Sequence, residues 1–115
     1  MKKGNLYLFE EFAQEESPDT FYRGVSKQEV IKACESGTLI FRSADGKVSL
    51  TKDIGVANDH SNYVVEVECE DVQEIDGDYK ADNPEDCVVV LVYEFDTKGN
   101  ELGKYTPEEF LLEII

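Results

Sequence analysis

Thr20-Phe21-Tyr22-Arg23-Gly24-Val25-Ser26 is the stretch on which the reading of this chain turns. Phe21 to Val25 reads as a short buried strand, because aromatic and β-branched side chains suit a pleated, half-buried surface. The strand carries one arginine, and Gly24 is expected to turn the chain toward a helix. Ser26-Lys27-Gln28-Glu29 is a capping box: the serine oxygen takes an early helix amide, and Glu29 reaches back to the serine N–H. The helix is expected to run to about Glu35. It would bury Val30, Ile31 and Cys34 or Ala33, with Gly37 in its C-cap region.

Upstream, Leu6, Phe9 and Ala13 recur at helical spacing over residues 5–16, but Leu6-Tyr7-Leu8-Phe9 fits a strand as well. Ser17-Pro18-Asp19 ends whichever element forms, since proline disfavours helix at the residue before it. Downstream, Thr38 to Arg42 reads as a second strand. Ala44-Asp45-Gly46-Lys47 reads as a hairpin-type turn and Val48 to Thr51 as an extended continuation. A short turn or helix is expected through Ile54, Val56 and Ala57, ending near Asn58.

Tyr63 to Cys69 alternates, with Val65, Val67 and Cys69 inward and Glu66, Glu68 and Glu70 outward, as in a half-exposed antiparallel strand. Asp71 to Asp86 has little apolar content and reads as loop. Cys87-Val88-Val89-Val90-Leu91-Val92-Tyr93 is a continuous apolar run, the expected central strand. Asp96 to Asn100 is a turn, making Tyr93 to Tyr105 a hairpin. Thr106-Pro107-Glu108-Glu109 opens a terminal helix to about Glu113, although Phe110 to Ile115 would also pair as a strand. The expectation is a single α+β domain over residues 1–115: a small mixed, mostly antiparallel sheet with two to four short helices.

At 115 residues the chain suffices for one core. Eleven Lys and Arg face 26 Asp and Glu, a net charge of −15. Such a field repels nucleic acid and anionic membranes and attracts basic surfaces. The excess concentrates between Glu66 and Asp86, where ten carboxylates stand against Lys80 alone. No apolar run approaches the ~20 residues of a membrane helix. Asn5, Glu10 and Glu11 interrupt anything resembling a signal-peptide core, so a cytoplasmic protein is expected. Cys34, Cys69 and Cys87 are odd in number and form no metal or redox spacing, and His60 is the single histidine. Buried reduced thiols and no metal site are expected. Phosphate-loop, dinucleotide-fingerprint, metalloprotease and nucleophile-elbow patterns are all missing.

Phe21-Tyr22-Arg23-Gly24 stands out, because an arginine inside an aromatic strand costs desolvation unless its guanidinium meets an anion or an acceptor. Further on, Ser49-Leu50-Thr51 ends a strand and leads into Lys52-Asp53-Ile54-Gly55-Val56-Ala57. Together these segments, spanning roughly Thr20 to Val92, resemble the ADP-ribosyltransferase superfamily. Its members carry an aromatic-Arg-Gly strand, then a Ser-x-Thr/Ser strand end leading to a short helix, then a glutamate ahead of a later strand. The resemblance implies a split sheet and NAD as cofactor. Arg23 would bind its nicotinamide-side phosphate or ribose, with Gly24 beside it. Ser49, supported by Thr51, would orient the nicotinamide ribose, and Tyr22 or Tyr63 would stack on the ring. Transfer of ADP-ribose to a protein or nucleic-acid acceptor would follow.

The chain departs from that pattern at the third motif. The corresponding segment is Glu85-Asp86-Cys87-Val88-Val89, with cysteine where the catalytic glutamate belongs. Glu85 fits after a register shift, Glu94 and Glu109 are remote candidates, and without any of them the domain is a catalytically impaired relative. The competing reading makes Arg23 an anchor paired with one of many carboxylates. The protein is then an acidic binding module of phage or mobile-element type, a DNA mimic or inhibitor docking on a basic protein partner. A third candidate surface is the apolar terminus Phe110 to Ile115, whose plain alternative is a packed C-terminal element.

Overall fold

The computed structural model describes residues 20–114, and the helix-or-strand reading of residues 5–16 lies outside that range. Among the described residues, seven strands and three α-helices make an α+β fold. The strands are β1 (Thr20–Val25), β2 (Val48–Leu50), β3 (Tyr63–Cys69), β4 (Val72–Ile75), β5 (Asp78–Ala81), β6 (Cys87–Phe95) and β7 (Glu101–Tyr105). The helices are α1 (Lys27–Ser36), α2 (Ile54–His60) and α3 (Pro107–Ile114). A four-stranded sheet runs β1-β3-β6-β7 and a three-stranded sheet runs β2-β5-β4. Every strand pairing among the described residues is antiparallel. No described helix is long and apolar enough to cross a membrane.

Period-two alternation decides the two faces of the larger sheet. Phe21, Val25, Val65, Val67, Cys69, Cys87, Val89 and Val92 form one buried cluster with α1 (Val30, Ala33, Cys34) and Phe110 of α3. Each such aliphatic or aromatic burial contributes about 1.5–3 kcal/mol. Val48, Leu50 and Ala81 of the smaller sheet join the same cluster. On the opposite face, Val64 and Tyr93 pack with Ala57 of α2, flanked by Tyr22, Ile54 and Phe95. The apolar run from Cys87 becomes an interior strand, as its composition requires.

Both capping boxes start helices, but they differ. At α3, Thr106 Oγ1 accepts from Glu109 N–H at 3.2 Å, and Thr106 N–H donates to Glu109 Oε1 at 2.9 Å. At α1, Glu29 N–H donates to Ser26 Oγ at 3.1 Å, but the Glu29 carboxylate turns to Arg23 instead of to Ser26. A charged partner that is itself largely shielded from water outbids one exposed amide. α1 ends at Gly37, whose φ of 85° is the left-handed conformation that closes a helix.

Four sequence expectations are corrected. Gly24 makes no turn; it lies extended inside β1. Thr38 to Arg42 is not a strand: Thr38 makes one bridge to Val88, and Ile40 and Phe41 are exposed. Its expected partner, Val48 to Thr51, pairs with β5 instead, so the turn at Asp45-Gly46 forms without a ladder behind it. Asp71 to Asp86 is not loop but the β4–β5 hairpin followed by a 3₁₀ turn at Pro84–Asp86. Asp76 (φ 53°) and Gly77 (φ 85°) supply the two positive φ angles that a two-residue hairpin turn demands. The expected α+β fold with a mostly antiparallel sheet is the one that forms, with no parallel pairing among the described strands.

Candidate functional site

The two sheets meet at a seam between β1 and the end of β2. Tyr22 N–H donates to Thr51 C=O at 2.7 Å, and Thr51 N–H donates to Tyr22 C=O at 2.9 Å. Beside this bridge the sheets diverge around a cleft of about 510 Å³. Tyr22, Arg23 and Gly24 line it from β1, Ser49 and Leu50 from β2 with Thr51 just after it, and Gly77 to Lys80 from the β4–β5 hairpin. Val56, Ala57 and His60 of α2 form another wall. Gly24 is needed for that wall, since a Cβ there would stand 2.3 Å from Ala57 O.

Arg23 is held from two directions. Its Nε donates to Glu29 Oε2 at 3.0 Å and its Nη1 to Ser49 C=O at 3.0 Å, with Ser43 Oγ at 3.5 Å. The Arg23 and Glu29 side chains are only 13% and 12% exposed, so the pair is shielded from solvent. Ser49 Oγ sits at the centre of a polar cluster, 3.0 Å from Ser43 Oγ and 3.0 Å from Lys80 Nζ. Lys80 stands opposite Ser49 in the β2–β5 register and also bonds Asp45 Oδ2 at 3.0 Å. The Lys47 N–H, and after it the Lys80 ammonium, hold the Asp45 carboxyl below its ordinary range.

Thr51 Oγ1 accepts from Asp53 N–H at 3.1 Å, and Asp53 caps α2 by accepting from Gly55 N–H at 2.8 Å. The Ser-x-Thr strand end thus leads directly into the short helix. Tyr22 meets Tyr93 edge to face at 6.4 Å, and Tyr93 O–H donates to Glu66 Oε1 at 2.9 Å.

No family model, curated protein or solved structure matches this chain. The character of the cleft therefore rests on its own residues.

Of the residues singled out by sequence, Tyr22, Arg23, Gly24, Ser49 and Thr51 line the cleft and Tyr63 and Glu85 do not. Tyr63 packs edge to face on Phe110 at 6.0 Å and lines a separate cavity with Lys27 and Glu94. Glu85 is exposed in the 3₁₀ turn. Cys87 is fully buried at the start of β6, directly opposite Cys69 and hydrogen-bonded to it. Of the remote candidates, Glu94 lies on the second cavity and Glu109 is spent capping α3. The carboxylate that does line the cleft is Asp78, exposed at the hairpin.

Lys80, Ser43, His60 and Asp78 are cleft residues that sequence reasoning missed. The signal for Lys80 and Asp78 was Asp76-Gly77: read as a hairpin turn, it makes residues 78–81 a strand able to present alternate side chains. Among the described residues, no group of three or more His, Cys, Asp or Glu could hold a metal ion.

Proposed function

We propose that the domain binds NAD in the cleft between its two sheets, as a catalytically impaired relative of the ADP-ribosyltransferases. One observation carries the reading. Two segments 26 residues apart, the aromatic-Arg-Gly strand and the Ser-x-Thr strand end, meet at the Tyr22–Thr51 bridge and face one cavity. The cavity's volume falls within the range of small-molecule and cofactor sites. Arg23 offers a planar, multi-donor cation to a phosphate, and Ser49, with Thr51 behind it, offers a hydroxyl to a ribose. Tyr22 offers an aromatic face to the nicotinamide ring. The reading stops at binding because leaving-group departure needs negative charge at the anomeric carbon. Glu85 lies outside the cleft, and the residue at the resembled glutamate's register is the buried Cys87.

The test is titration of NAD into the wild type and Arg23→Ala at low and moderate salt, with thermal unfolding as the folding control. Saturable binding is expected, weakened at least about tenfold in a folded variant, an effect near 1.4 kcal/mol. Nicotinamide release is expected to stay at the uncatalysed rate. A folded wild type that does not bind NAD would retire the proposal.

A second reading has its own observation. The acidic stretch is ordered as a hairpin, with Glu70, Asp71, Glu74, Asp76 and Asp78 all exposed and β4 at the edge of its sheet. This surface suits a basic protein partner, held by contacts that weaken as salt screens them. Capture of a basic partner that survives Arg23→Ala but fails when Glu74 and Asp76 are neutralised would favour this reading over the first.

A further inference from the structure

The polar cluster beneath the seam is unbalanced in a way that names its ligand. A lysine ammonium has three donors, and Lys80 spends one on Asp45 Oδ2 and one on Ser49 Oγ. Arg23 uses Nε and Nη1, and no described residue accepts from its Nη2. Ser43 and Ser49 share one hydroxyl hydrogen across their 3.0 Å contact. Whichever of the two donates, the other hydroxyl hydrogen has no acceptor among the described residues. Three kinds of donor from β1, β2, β5 and the loop before β2 thus converge on the cleft, each with a hydrogen that bonds no acceptor among the described residues. Water satisfies them in the free protein; a ligand rich in oxygen acceptors satisfies them better.

We infer that Lys80, Ser43 and Ser49 form, with Arg23, a seat for the oxygens of a diphosphate. Lys80 and Ser43 are its binding residues beyond the sequence motifs. This deepens the NAD reading and rests on it for the identity of the natural ligand. Asp45 fixes the ammonium: at 48% side-chain exposure against 19% for Lys80, it stands on the solvent side of the pair. The pairs Arg23–Glu29 and Lys80–Asp45 each cancel in formal charge. Donor geometry, more than net charge, therefore selects the anion in a chain of −15.

The experiment titrates inorganic pyrophosphate, ADP, adenosine and NAD into wild type, Lys80→Met and Ser43→Ala, each checked by thermal unfolding. Pyrophosphate and ADP are expected to bind the wild type saturably. Their affinity should fall about tenfold in Lys80→Met and about threefold in Ser43→Ala, while adenosine is unchanged in both. Lys80→Gln, which keeps a donor to Ser49, serves if Lys80→Met does not fold and should lose at least about threefold. Unchanged pyrophosphate and ADP affinity in the folded variants overturns the seat, and so does a wild type that binds neither. NAD binding that is indifferent to Lys80 leaves the cofactor reading standing and removes the seat. Pyrophosphate and ADP binding that depends on Lys80, without competition by NAD, keeps the seat and removes the cofactor.

Discussion

Arg23 Nε donates to Glu29 Oε2 across 3.0 Å, tying the arginine of the first strand to the opening turn of the helix that follows it. Both side chains are about seven-eighths shielded, so removing one charge leaves the other poorly compensated. Glu29→Gln should destabilise the protein by about 1–3 kcal/mol, measured by chemical denaturation. Unchanged stability would show that the pair only orients Arg23 and contributes nothing to folding.

Gly24 has no room for a side chain. Because a Cβ would lie 2.3 Å from Ala57 O, Gly24→Ala must push α2 off β1. A loss of about 1–3 kcal/mol is expected, the usual cost of overpacking. The displaced α2 should also perturb the NMR signals of Val56 and His60, which line the cleft. Wild-type stability in this variant would mean that the close approach of strand and helix is not maintained in solution.

The β4–β5 hairpin depends on two positive φ angles. Gly77→Ala should cost about 1 kcal/mol, because an L side chain is disfavoured there, whereas Asp76→Asn should be tolerated. Hydrogen exchange would find the loss confined to the hairpin, including the Lys80 amide. Equal destabilisation by both substitutions would argue against this turn.

Burial, helped by the neighbouring Glu35 carboxylate, pushes the Cys34 thiol up to about 11 from its ordinary 9.0. Between those values the unfolded chain has already lost this proton and the folded chain retains it, so raising the pH favours unfolding. Stability at pH 8 should exceed that at pH 11 by an amount to which Cys34 contributes about 2–3 kcal/mol at most. Replacing Cys34 with alanine should flatten that slope, and a slope unaffected by Cys34→Ala would place the titrating group elsewhere.

Much of this fold was legible because alternation, caps and apolar runs are local. β1, α1, β3, β6, the β6–β7 hairpin and α3 follow from spacing and capping chemistry alone. What escaped was pairing between distant segments. Val48 to Leu50 chose β5 over the residues just before it, and no local preference announces such a choice. The acidic hairpin was hidden by its composition, since an edge strand with exposed faces needs few apolar residues. Within the cleft, Arg23 and Ser49 were visible as an out-of-place charge and a strand-end hydroxyl. Lys80 was invisible until its register opposite Ser49 was known. The terminal apolar hexapeptide resolves in part as packing: Phe110 is buried and Leu111 leans on the core, whereas Leu112 is 79% exposed.

Tyr22 and Thr51 exchange two backbone hydrogen bonds, and these are the bridge by which the described sheets are stitched edge to edge. Each such bond contributes only about 1 kcal/mol net in water. As a backbone link this stitch is far weaker than either ladder beside it, and the aperture of the cleft is held as well by the shared core of Val48, Leu50 and Ala81 and by the Arg23–Ser49 bond. The two sheets share one backbone stitch, like leaves sewn once along a glued spine, and the amides of Tyr22 and Thr51 become gauges of how far they part. A molecule lodged between the leaves would slow exchange at those two amides before it touched any other ladder position.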